Sequence, residues 1–112
     1  MLNHETVRVP IDELRDYMAR LLEAVGLDTA SAATVAELHL ESDLRGVGVQ
    51  GFNHLINSHL QDFLAGRCDP KGTPEIVRDG PCYALIDGHA GTGPIAALLA
   101  VDVAVKKAKS AG

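Results

Sequence analysis

Two short segments of strand character constrain the fold of this chain more than any other feature of its sequence. Residues 74–78 and 82–87 carry Ile, Val, Leu and Tyr, and Asp79, Gly80 and Pro81 between them favour a tight turn. The pattern predicts a β-hairpin. Because an isolated hairpin is at best marginally stable and has two open edges, we expect further structure to cover it.

Helical patterns precede these strands. In residues 10–25 apolar side chains recur at three- and four-residue spacing, and Gly26 ends the pattern. Asp28 or Thr29 caps a second helix, which ends near Gly46. Its small side chains predict close packing against a neighbouring helix. The apolar stripe expected on this helix consists of Ala33, Ala36 or Glu37, Leu40 and Leu44.

A third helix is expected between Gly51 and Gly66. After the hairpin, a glycine-rich loop at residues 88–93 leads to Pro94, a favourable first helical residue, and to an Ala- and Val-rich helix that reaches Gly112. That helix is apolar on most of its surface, which indicates that it packs against something on several sides. The apolar face expected on the third helix consists of Phe52, Leu55, Ile56, Phe63 and Leu64.

The order of these elements predicts an α/β (α+β-like) fold. Residues 1–73 are expected to form a helical N-terminal segment. Residues 74–112 are expected to form a hairpin plus an Ala-rich helix, the first part of a larger mixed-sheet domain. Because the hairpin edges and the last helix need cover, we expect another chain to complete the fold.

Charge and composition argue against several classes of function. The chain has 15 acidic and 10 basic residues, a formal net charge of −5, and its basic residues are mostly scattered, which argues against nucleic acid as a partner. No apolar run reaches the roughly 18 residues that span a bilayer, and no signal-peptide core follows the polar start. We therefore expect a cytoplasmic protein in which Cys68 and Cys82 are reduced.

Two further features indicate binding sites only weakly. The histidines include no pair at the four-residue spacing that places two rings on one helical face, so we expect no metal site. The loop at residues 88–93 lacks the Gly-x-Gly-x-x-Gly order and the Gly-Lys-Ser/Thr of phosphate-binding loops, and we interpret it as a tight turn. The histidines are His4, His39, His54, His59 and His89.

The connection between the second and third helices is the strongest candidate site. Asp43 and Arg45 precede a three-glycine loop, and Gln50 and His54 stand four residues apart where the third helix begins. Helix ends joined by such loops bring unsatisfied backbone groups and polar side chains together. A simpler interpretation, a helix connector with a capping Asp43 and a surface Arg45, stays open.

Residues 41–55, followed by Gly66, Pro74 and Gly88, resemble the type-2 malate/L-lactate dehydrogenase family. The resemblance covers about residues 9–112, in the order of elements as well as in the motif. It implies a non-Rossmann fold, an NAD(P)-dependent enzyme acting on 2-oxo acids or cyclic imino acids, and a homodimer. In this family most of the nucleotide site lies beyond the segment that the chain matches.

Two departures from the family motif concern catalysis. The family's histidine acid aligns with Gln50, and its carboxylate-binding arginine aligns with His54. A glutamine amide cannot donate and retake a proton near neutral pH, and an imidazole is not a fork for a carboxylate. If redox chemistry persists, His54 is the expected replacement acid and Arg45 the expected carboxylate ligand.

Three functions stay open on the sequence. The first is the N-terminal chain of an oligomeric oxidoreductase that uses NAD or NADP together with a C-terminal partner chain of the same fold. The second is a non-redox hydrolase of amide-like substrates, matured by cleavage after Gly112, in which Gln50 binds a neutral group and a newly exposed Ser, Thr or Cys is the nucleophile. The third is a non-catalytic subunit.

Overall fold

The computed structural model describes residues 5–112. His4 and the rest of residues 1–4, the start of the predicted helical segment, lie outside the described residues. The helical piece between the 3₁₀ turn and the hairpin is continuous, and we call its three parts together the third helix. The elements are α1 (Ile11–Ala24), α2 (Thr29–Leu44), the 3₁₀ turn (Gly48–Gln50), α3 (Phe52–His54), a π-helical segment (Leu55–His59), α4 (Leu60–Leu64), β1 (Glu75–Asp79), β2 (Ala84–Asp87) and α5 (Gly93–Ala111).

Helices α1 and α2 pack against each other and, with the third helix, enclose the core. Asp28 caps α2, because its carboxylate accepts a hydrogen bond from the Ser31 N–H at 2.9 Å. The same bond, with one from the Ser31 hydroxyl, lowers the pKa of Asp28. Of the two predicted caps, Asp28 is therefore the correct one. The buried apolar residues are Met18, Leu22, Leu27, Ala32, Val35, Ala36, Leu40, Leu55, Leu60 and Phe63.

Parts of the two predicted apolar faces are wrong. On α2, Ala33 and Leu44 are exposed and the polar His39 is buried, because alanines occur on several sides of this helix and do not fix which side faces α1. On the third helix, Leu64 is exposed and Leu60 is buried. A π-helical turn holds more residues than an α-helical turn, so it shifts the face of the residues that follow it.

The predicted hairpin is confirmed, with a longer turn than expected. The strands pair antiparallel, with Glu75 opposite Asp87, and a register shift lies between Ile76 and Arg78. Residues 80–83 form the turn, so the prediction that the second strand begins at residue 82 was two residues early.

The hairpin and α5 leave much apolar surface uncovered. Every residue of β1 is exposed, and no residue of α5 is buried. Large exposed apolar side chains on these elements are Ile76, Val77, Leu85, Leu98, Val101 and Val105. Completion of the fold by another chain, and the division at residue 73, stay predictions.

Within residues 5–112, no helix has both the length and the apolar character needed to cross a membrane. The cytoplasmic location stays a prediction.

The loop before α5 is fixed by close packing of two backbone segments. The Asp69 N–H donates to the Ala90 carbonyl at 2.7 Å. A Cβ atom on Gly72 would lie 2.5 Å from the His89 carbonyl oxygen, so only glycine permits this approach. His89 and Ala90 themselves have positive φ angles of 49° and 56°. This packing sets where the first residues of α5 lie.

The turn between α2 and the third helix is fixed by one carboxylate. Asp43 accepts a hydrogen bond from the Phe52 N–H at 2.8 Å, so it caps the third helix from a distance of nine residues along the chain. A Cβ on Gly51 would lie 1.9 Å from the Asp43 carboxylate. The predicted capping role of Asp43 is confirmed, and it depends on the glycine at position 51.

We predict that Gly51→Ala displaces the Asp43 carboxylate and destabilises the protein. The expected loss in the free energy of unfolding is about 1–2 kcal/mol, the usual cost of losing a helix cap. Gly93→Ala is the matched control, because a Cβ there meets no atom within 4 Å. Denaturant unfolding of both variants checks the prediction, and an equal stability of the two would contradict it.

Candidate functional site

A polar pocket of about 270 Å³ opens between α2, the 3₁₀ turn, the third helix and the start of α5. Another cavity, of about 360 Å³, lies between β2 and α5 and belongs to the uncovered apolar surface. We place the candidate site in the pocket of about 270 Å³, because three imidazoles, an amide and a carboxylate line it. Its lining residues are His39, Gln50, His54, His59, Asp62, Gly93 and Pro94.

The structure brings two of the three sequence-predicted site residues together. Gln50 ends the 3₁₀ turn, His54 ends α3, and both line the pocket. They do not share one continuous helix, because Gly51 between them has φ −88° and ψ −145°. Arg45 is not among the lining residues and is paired with Glu41 at 2.7 Å. The roles of Gln50, His54 and Arg45 in catalysis and binding stay predictions.

The π-helical segment explains a feature that sequence spacing could not reveal. The Leu60 N–H bonds to the Leu55 carbonyl, five residues back, instead of four. His54 and His59 are also five residues apart, and both line the pocket. A search for histidine pairs at α-helical spacing therefore missed this pair. The role of His39 was not predicted, because no local pattern relates it to the Gln50 carbonyl eleven residues later.

Four groups from different elements form one continuous chain of hydrogen bonds beside the pocket. His39 Nδ1 lies 2.8 Å from the Gln50 carbonyl oxygen. His39 Nε2 lies 3.1 Å from His59 Nδ1, and His59 Nε2 lies 3.0 Å from Thr92 Oγ1. We call Gln50 C=O, His39, His59 and Thr92 the histidine relay. It ties α2, the 3₁₀ turn, the third helix and the start of α5 together.

Burial keeps the two relay histidines neutral. Loss of solvent lowers the pKa of His59 to about 4, with smaller contributions from the neighbouring His39 and His54, while Asp62 acts in the opposite direction. Loss of solvent also lowers the pKa of His39, opposed mainly by its bond to the Gln50 carbonyl and by Asp43. The His54 ring faces His39 with centroids 5.8 Å apart and takes no part in the relay.

Other candidate groups are placed apart from this pocket. Cys68 and Cys82 are free thiols, and burial raises the pKa of Cys68. Among residues 5–112, no three His, Cys, Asp or Glu side chains are positioned to bind one metal ion. His89 lies in the loop before α5, 3.0 Å from the Glu75 carboxylate.

Residues 9–112 match the family model described as malate/L-lactate dehydrogenase. The chain belongs to this family. Malate dehydrogenase of Pyrococcus horikoshii is 34% identical over 106 residues, which are 95% of this chain and 29% of that protein. L-sulfolactate dehydrogenase of Methanocaldococcus jannaschii is 29% identical over 82% of this chain and 26% of its own length. Ureidoglycolate dehydrogenase (NAD(+)) of Escherichia coli K12 is 28% identical over 95% of this chain and 30% of its own length.

Solved structures of the family confirm the fold of this part. Malate dehydrogenase from Pyrococcus horikoshii superposes with a TM-score of 0.87 at 34% identity, over 95% of this chain and 30% of that one. Malate dehydrogenase from Entamoeba histolytica superposes with a TM-score of 0.89 at 28% identity, over 96% of this chain and 30% of that one. Δ1-piperideine-2-carboxylate reductase from Pseudomonas syringae superposes with a TM-score of 0.83 at 25% identity, over 96% of this chain and 32% of that one. The chain thus spans about 30% of the length of these relatives.

We predict that acid destabilises the fold through the relay histidines. Both have folded-state pKa values below the ordinary 6.5, so the unfolded chain takes up protons that the folded chain excludes. Stability should therefore be full above pH 6.5 and should be lost as pH falls toward about 4. In His59→Gln, the melting temperature should fall less across this window.

The control for that experiment is His89→Gln, which removes a histidine of the exposed loop and leaves the relay intact. Thermal unfolding of both variants is measured at several pH values. A His59→Gln curve with the same pH dependence as the unmodified protein would show that this ring does not control acid stability.

Proposed function

We propose that this chain contributes the substrate pocket of an oxidoreductase that interconverts small 2-oxo acids and 2-hydroxy acids, with NAD or NADP as the cofactor. The observation that carries the proposal is the polar pocket at Gln50 and His54, in a chain of the malate/L-lactate dehydrogenase family. Malate, sulfolactate and ureidoglycolate, after which similar proteins are named, are all 2-hydroxy acids. The shared chemistry favours this substrate class.

His54 is the proposed acid of the reaction. Reduction of a 2-oxo acid requires a proton on the carbonyl oxygen, and an imidazolium supplies one near neutral pH. Gln50 lines the same pocket, and its amide donates a hydrogen bond but not a proton. We therefore assign Gln50 to holding the carbonyl oxygen and His54 to protonating it. In the oxidation direction His54 takes the proton back.

We propose that the glycine-rich loop of this chain takes no part in binding the nucleotide. The loop, at residues 88–93, is closed against Gly72, and the Gly91 N–H already bonds to the Gly88 carbonyl at 2.9 Å. Such a loop has no open cradle for phosphate. We therefore assign cofactor binding to other parts of the family fold.

A C-terminal partner with the rest of the family fold is the proposed cover for the hairpin and α5. The support is the exposed apolar surface of both elements and the cavity between β2 and α5. Similar proteins are about three times longer than this chain, since it covers 29% of the Pyrococcus horikoshii enzyme. The proposed assembly is an oligomer of such completed units.

A non-redox function is the second candidate. It is favoured by one observation, the presence in the pocket of a side-chain amide at Gln50 with neutral His39 and His59 behind it. The Gln50 amide can both donate to and accept from an amide-like substrate, which requires no redox chemistry. Failure of the complete protein to bind NADH and NADPH, together with amide hydrolysis, would favour this candidate.

We predict that His54→Ala lowers kcat/KM of the complete protein by about tenfold or more, in assays with 2-oxo acids and NADH or NADPH. Its stability should change by less than about 1 kcal/mol, because the half-buried ring contributes little to the core. Asn57→Ala, on an exposed position of the third helix, is the control. A large loss of stability with unchanged activity per folded molecule would make His54 a structural residue.

We also predict that Gln50→His alone does not raise turnover of malate or lactate strongly, because no arginine stands at position 54 to bind the carboxylate. The double change, Gln50→His with His54→Arg, should raise the turnover of malate or lactate further than either single change does. Steady-state kinetics of the three variants checks this. A strong increase in turnover by Gln50→His alone, relative to the unmodified protein, would contradict the role given to His54.

A further inference from the structure

While both rings are neutral, the bonds of the histidine relay can run in only one direction. A peptide carbonyl accepts and never donates, so His39 must carry its proton on Nδ1 to bond the Gln50 oxygen. Neutral His39 then has a lone pair on Nε2, so His59 must donate from Nδ1. His59 Nε2 is in turn an acceptor, and the Thr92 hydroxyl donates to it. The geometry thus sets both tautomers.

The Thr92 side chain bonds to His59 instead of capping α5. It occupies the N-cap position of α5, where a threonine side chain usually accepts a backbone N–H of the first turn. Here it makes no such capping bond, and only 7% of the residue is exposed. A buried hydroxyl without its bond to His59 would be costly. The start of α5 is therefore tied to the third helix through this hydroxyl.

We propose that Thr92, His59 and His39 are positioning residues that act through one another on the peptide of Gln50. Thr92 orients the His59 ring, His59 orients the His39 ring, and His39 holds the Gln50 carbonyl. The Gln50 side chain then projects from a peptide whose plane is fixed from behind. This part of the inference rests on hydrogen-bond geometry and on the neutral state of the two buried rings, and it does not depend on the proposed function.

The relay also separates the tasks of the three imidazoles. A peptide carbonyl cannot pass a proton on, so the relay ends at Gln50 and conducts no proton to the pocket. His39 and His59 have both ring nitrogens engaged. His54 stands outside the relay with its ring beside His39, and it alone is left to exchange a proton with a ligand. This last step rests on the proposed function.

The test uses the complete protein, labelled with ¹⁵N in its histidine rings. Nitrogen chemical shifts and long-range couplings assign the tautomer of each ring, and we expect His39 and His59 both to be neutral with the proton on Nδ1. A proton on Nε2 of either ring, or a charged ring at neutral pH, would overturn the relay. This readout does not depend on enzymatic activity.

The matched pair of variants is Thr92→Val and Thr92→Ser. Valine keeps the volume and removes the donor, so His59 should lose its single tautomer and kcat/KM should fall about tenfold, whereas serine should restore both. Unchanged tautomers in Thr92→Val would contradict the proposal. If Thr92→Val does not fold, the tautomers of the unmodified protein still decide it. Correct tautomers in a protein without dehydrogenase activity would support the relay and reject the proposed function.

Discussion

The bond between the Asp43 carboxylate and the Phe52 N–H is the interaction on which the candidate site depends. It starts the third helix where the chain leaves the 3₁₀ turn, and it requires a glycine at position 51 because any Cβ there would collide with the carboxylate. Gln50 on one side of this bond and His54 on the other are thereby fixed relative to α2. Without it, the Phe52 N–H at the start of the third helix would lose its acceptor.

A second constraint joins parts of the chain that are distant in sequence. The relay links His39 of α2 to Thr92 at the start of α5, and the π-helical segment brings His59 to the point where it bonds both. A π-helical turn is less stable than an α-helical turn and persists where other contacts compensate for it. Here His59, the last residue of the segment, bonds to both His39 and Thr92. The pocket is therefore built on buried, neutral polar groups that must all be satisfied together.

The sequence predicted most of the fold and a smaller part of the site. Local signals were sufficient for a cap at Asp28 or Thr29, for the hairpin and for the helix that begins near Pro94, because each depends on residues close together in the chain. The family motif was sufficient to place Gln50 and His54 at one connection. His59 was missed because a π-helical segment has no clear sequence signature, so the spacing from His54 was judged by α-helical geometry.

The other features that the sequence did not predict depend mostly on contacts between residues distant in the chain. No local pattern shows that His39 on α2 meets His59, or that Thr92 bonds to a ring 33 residues earlier. The side of α2 that faces α1 was ambiguous because its alanines occur on several sides of the helix. Arg45 pairs with Glu41 at four-residue spacing, a local contact that the sequence allows, and its role toward the substrate stays a prediction.

We propose that the substrate binds in the pocket between Gln50 and His54. The most direct measurement is a crystal structure of the complete protein with oxamate, an inert analogue of a 2-oxo acid. We expect an oxamate oxygen within hydrogen-bond distance of both the Gln50 amide and the His54 ring. Oxamate bound elsewhere in the assembly, with this pocket filled only by water, would contradict it.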